Sequence, residues 1–127
     1  MKTKPLQSFN RAEIALVIDC MKRYMFKVSV ASGRLMLTDY TKILQNGNEA
    51  ELDGMGMEHI VSALHAKANE IEDQLGTDRK EVELIRQLAQ EVREKRVAFQ
   101  QNFYKQHIKK EAPTAGTVST STNILLG

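Results

Sequence analysis

Apolar residues recur along most of this chain at spacings of three and four, the signature of helices that bury one face. The first run is Ile14, Val17, Ile18, Met21 and Met25. A full start signal precedes it: Asn10 is a suitable cap, Glu13 stands three residues on, and Phe9 and Ile14 have the spacing of a hydrophobic staple. Leu16, Cys20 and Tyr24 widen the stripe. The pattern predicts a helix to about residue 27, contacted from two sides.

The segment 28–45 admits two readings. Val28-Ser29-Val30 and Leu35-Met36-Leu37 fit two short strands around Gly33. In the other version the first helix ends near Ser32-Gly33 and a second begins at about Arg34, with Tyr40, Ile43 and Leu44 on its face and Asn46-Gly47 as its stop. We favour the helical version. Residues 46–56 hold three glycines and two asparagines, which predicts a loop with a glycine hinge.

A third helix is expected from Met57 to Leu75, with Met57, Ile60, Val61, Leu64, Ala68, Ile71 and Leu75 in one narrow stripe and Gly76 as its stop. Asp78 and Glu81 suggest a second capping box. The fourth helix carries Val82, Ile85, Leu88, Ala89 and Val92, then Phe99 and Phe103, and extends to about Lys110. With only Gly76-Thr77 between them, the two long helices should fold back as an antiparallel hairpin over 57–110. The fold class is therefore all-α, with three to four helices dominated by that hairpin. The helical domain is assigned to 1–111, and the Ser/Thr-rich stretch 112–127, headed by Pro113, reads as a flexible tail.

Composition fits one soluble domain. The 127 residues are 42% hydrophobic and 27% charged, with a formal net charge of +2. No uncharged apolar run is long enough for a membrane span, and residues 1–7 lack the apolar core of a secretory signal. A single cysteine, Cys20, excludes an internal disulfide and suits a reducing compartment, so a cytoplasmic location is expected. The near-neutral total hides a block pattern. Residues 1–45 carry eight basic and three acidic groups, 46–77 one and seven, and 78–111 nine and six. The third helix is thus acidic between two basic neighbours. Pairing within the bundle is the plainer explanation, and an external anion-binding face the sharper one.

Catalytic constellations do not emerge. His59 and His65 are six apart, which on a helix points them to separate faces rather than to one zinc ion, and Glu58-His59 is not completed into a metalloprotease motif. Those two histidines and His107 are expected at the surface or its boundary. Cys20 follows Asp19, which opposes thiolate formation, so a buried structural thiol is expected. The oxygen-rich loop from Asn46 fails the calcium-loop spacing, since its twelfth residue is Met57. Asp53-Gly54-Met55-Gly56 has neither the preceding strand nor the Lys-Ser/Thr of a phosphate loop. No cofactor and no metal are implied, and the chain is read as a non-enzyme.

Binding is the remaining class. The end of the fourth helix, with Val97, Phe99, Phe103, Tyr104 and Ile108, overhangs the shorter third helix and is a candidate partner surface, unless the N-terminal Leu6 and Phe9 cover it. Ile124, Leu125 and Leu126 in the tail form a second candidate. The expected function is a small protein-interaction module, regulatory or accessory, that engages a protein partner or a further copy of itself. Two alternatives stand beside it. One is a nucleic-acid-binding regulator using the basic N-terminal segment, disfavoured because Leu35–Lys42 is apolar for a groove-reading helix. The other is a structural subunit of a larger assembly such as a phage particle. The opening Phe9–Ile18 and the charged hairpin resemble, in general look, small helical accessory proteins of bacteria and their phages, a likeness that assigns no functional residue.

Overall fold

The computed structural model describes residues 2–76 and 79–111, with side chains to residue 105. Four helices follow in order: α1 (Arg11–Met25), α2 (Val30–Asn46), α3 (Gly54–Leu75) and α4 (Lys80–Glu111). The expected all-α architecture and antiparallel hairpin are present. The tail 112–127, with Ile124, Leu125 and Leu126, and the capping residue Asp78 lie outside the described residues.

α1 starts as its sequence predicts. The Asn10 side chain accepts from the Glu13 N–H at 2.8 Å, and the Glu13 carboxylate accepts from the Asn10 N–H at 2.9 Å. Phe9 and Ile14 are both buried beside this cap. The break to α2 comes earlier than expected, at residues 26–29, because Ser29 caps α2 by accepting from the Ser32 N–H. Gly33 therefore lies inside α2 rather than between helices. A Cβ there would stand 3.3 Å from the Met25 carbonyl oxygen, so its absence lets the end of α1 come close. The two-strand alternative for this segment is not formed.

α3 also starts earlier, at Gly54 instead of Met57, and the expected hinge is a capped helix end. Asp53 accepts from the Gly56 N–H at 2.8 Å. The preceding connection is compact: Gly47–Glu49 form a 3₁₀ turn, and Ala50 and Leu52 are buried. Thr3 and Leu52 exchange backbone hydrogen bonds of 2.9 and 2.7 Å in an isolated antiparallel bridge. Lys4 pairs with Glu49 at 2.9 Å, and the Asn48 side chain donates to the Gln7 carbonyl. These ties hold the N-terminal segment so that Leu6 and Phe9 enter the core.

α3 is the centre of the molecule. α1 and α4 both pack along it, while α2 packs mainly on α1 and touches α3 only lightly. Its expected stripe is buried from Met57 to Ile71, with Ala63 added; Leu75, at the helix end, is exposed. Val82, Ile85, Leu88, Ala89 and Val92 of α4 are buried opposite. The chain reverses at Gly76, whose φ of 95° favours glycine.

One contact locks α2 to the start of α3. Asp39 is 7% exposed, and its carboxylate lies 2.8 Å from His59 Nδ1. Its other oxygen lies against Gly56, where a Cβ would come within 2.8 Å. Only glycine lets a carboxylate approach the first turn of α3, where helix-dipole charge favours an anion. Gly56→Ala should therefore cost about 1–3 kcal/mol in urea unfolding. The cost should fall in an Asp39→Ala background, because the nearest clash is then gone.

Candidate functional site

The register of the hairpin shows where α4 leaves its partner. Arg86 reaches Glu72, Asn69 and His65, whereas Arg96 lies 2.9 Å from Glu58. Phe99 Cε2 stands 3.9 Å from the position a Cβ would take on Gly54, the first residue of α3. Residues 100–111 therefore run about 18 Å past the start of α3, at ~1.5 Å per residue.

The predicted partner surface divides in two. Phe99 continues the buried stripe and packs on the core. Phe103, four residues on, follows the same line and is 43% exposed. Val97 and Tyr104 are seven residues apart and lie on another side of α4, rotated by more than about 100°; they are 41% and 36% exposed. Ile108 belongs to α4, but its side chain lies outside the described residues. Every described side chain from Gln101 to Lys105 is exposed.

A second apolar surface was not among the predicted residues. On α2, Val30, Leu37 and Leu44 are 75%, 51% and 56% exposed, and Phe26 just before the helix is also exposed. The signal was legible as a seven-residue spacing through 30, 37 and 44. It went unread because the same helix also carries a true core stripe of Met36, Tyr40 and Ile43.

The charge blocks have a structural outlet. Glu70 of α3 gathers Arg23 at 3.1 Å, Lys67 at 3.5 Å and Lys27, which donates to its other oxygen. Lys27 first, and then Lys67, hold the Glu70 carboxyl below the ordinary value. Glu72 pairs with Arg86 and Glu58 with Arg96. The basic neighbours thus converge on the acidic α3. With side chains partly solvated, each such pair is worth only about 0–1 kcal/mol.

Two hollows accompany this arrangement. One, between α1 and α3 beside Cys20 and Glu70, encloses about 10 Å³, room for a single water at most. The other is an open polar depression of about 310 Å³ edged by Lys2, Lys4, Lys42, Glu49 and Glu51. Among the described residues, no group of three His, Cys, Asp or Glu side chains is placed to hold a metal ion. None of the described helices is long and apolar enough to cross a membrane. Comparison with known proteins finds no matching family model, no significantly similar curated sequence and no significantly similar solved structure.

His59 and His65 sit at the boundary of the fold, as expected. His65 Nδ1 accepts from Arg86 at 3.0 Å, which places the neutral ring's proton on Nε2. Burial, then the charges of Arg86 and Arg93, push its pKa below the ordinary 6.5. The unfolded chain takes up that proton more readily, so His65 contributes stability above about pH 6.5 that is lost as pH falls. His65→Gln, which can still accept from Arg86, should flatten the stability–pH slope just below about pH 6.5. Burial, then Asp19, raise the Cys20 thiol to about 11. At pH 8 its alkylation in the native protein should be at least about 100-fold slower than in the unfolded chain.

Proposed function

We propose that this protein is a non-enzymatic interaction module of the cytoplasm, acting through apolar helix surface on a protein partner. The observation that supports this most directly is the overhang of α4. The end of α4 exposes Tyr104 and, on the same side of the helix, Val97, with Phe103 also 43% exposed on a neighbouring side. Such a surface is suited to a helix-in-groove contact in which aromatic anchors carry most of the affinity. Of the basic N-terminal segment behind the nucleic-acid alternative, Arg23 and Lys27 pair with Glu70 and Lys4 with Glu49.

The reading is tested by affinity capture from the cells that produce the protein, comparing wild type with Phe103→Asp and Tyr104→Asp. Both variants should keep the helical circular dichroism and lose the captured partner, by about tenfold or more in affinity for each anchor removed. Capture unchanged in both variants would reject the overhang as the binding surface. Phe99→Asp is unsuitable for this comparison, since Phe99 packs on the core and its loss would loosen the fold.

A further inference from the structure

We infer that α2 opens as a separate unit, swinging off α1 and α3 while the α3–α4 hairpin stays folded, and that the Asp39 carboxylate is the latch that closes it. Only two large apolar side chains of α2, Met36 and Ile43, are buried, fewer than in any other described helix. Val30, Leu35, Leu37 and Leu44 remain exposed. Apolar burial is what holds a helix in place against the entropy of freeing it, so α2 is the least firmly docked of the four. The neighbours agree with this ranking. α2 packs chiefly on α1 and only lightly on α3, whereas α3 and α4 share the most extensive helix contact.

Both ends of α2 permit the motion. It is preceded by the short connection 26–29, where Phe26 is exposed, and followed by Gly47, which has a φ of 59° and open space where a Cβ would stand. Beyond Gly47 the chain is tied down again, since Glu49 pairs with Lys4 and Leu52 is bridged to Thr3. Opening is therefore confined to the stretch between these two points. The latch is the one buried polar or charged side chain among the described residues. Asp39 faces His59 at 2.8 Å and fits against Gly56 only because no Cβ intervenes. A buried carboxylate acts differently from a buried leucine. Its pairing is offset by the water it gives up, so it fixes where α2 sits without the full adhesion of an apolar side chain. On opening, that water returns. The surface beneath Met36 and Ile43 is then uncovered while α3 keeps its contact with α4.

Native-state hydrogen exchange of the full chain, followed by NMR in low urea, reads this opening residue by residue. After correction for intrinsic rates, amides of Leu35–Ile43 should exchange at least about tenfold faster than those of Leu64–Ala68 in α3. Their urea dependence should be shallower, because less surface is uncovered. Ile85→Val trims only the hairpin, which is intact in both the closed and the open form. It should speed exchange in α3 and α4 severalfold and leave α2 unchanged. Asp39→Ala, which leaves His59 Nδ1 without its partner, should speed α2 exchange at least about tenfold. Asp39→Asn keeps an acceptor for His59 and should fall between that variant and wild type. Exchange of α2 and α3 at one common rate and urea dependence overturns the separate opening, as does equal acceleration of both by Ile85→Val. Unchanged α2 exchange in both Asp39 variants overturns the latch. The interaction reading, which concerns α4, is untouched by any of these results.

Discussion

The burial of α3 from two sides is the constraint on which the rest of this structure depends. Its stripe from Met57 to Ile71, widened by the buried Gly56 and Ala63, is packed by α1 along one flank and α4 along the other. Burying each large apolar side chain is worth about 1.5–3 kcal/mol, well above any single ion pair at the surface. α2 has no place on that central helix beyond its contact near Gly56. It is held through α1 and through Asp39, and is left with a bare outer face.

Electrostatics then works within this frame. The acidic residues of α3 flank its apolar stripe, and the basic ends of α1 and α4 arrive at Glu70, Glu72 and Glu58 as a consequence of packing. A register slip of one turn would unpair a layer of the apolar stripe of α4 and separate Arg86 from Glu72 and Arg96 from Glu58. The register that core packing and the short connection set decides how far α4 overhangs. The overhang, in turn, is what exposes Phe103 and Tyr104. Surface chemistry and core packing are linked through one geometric variable.

Legibility in the sequence followed the range of the interactions involved. The α1 cap was readable because Asn10 and Glu13 are three residues apart and need nothing else. The α3–α4 hairpin was readable because the connection is short and both stripes are clean. Gly56 was misread as a hinge, since its purpose is defined by Asp39, seventeen positions earlier and on another helix. Leu6 as a core residue depended on the Thr3–Leu52 bridge, which joins two segments that look like loops in isolation.

Local sequence thus determined the helical class, the cap of α1 and the buried faces of α3 and α4. Each follows from residues within a turn or two of one another. Only the tertiary structure decided which apolar residues stay exposed. Val30, Leu37 and Leu44 have the same chemistry and a similar spacing to the residues that are buried. What separates them is that α1 and α3 come to one side of α2 and no described helix reaches the other. Periodicity marks a face as apolar; whether that face is core or exposed surface is fixed by where the neighbouring helices end.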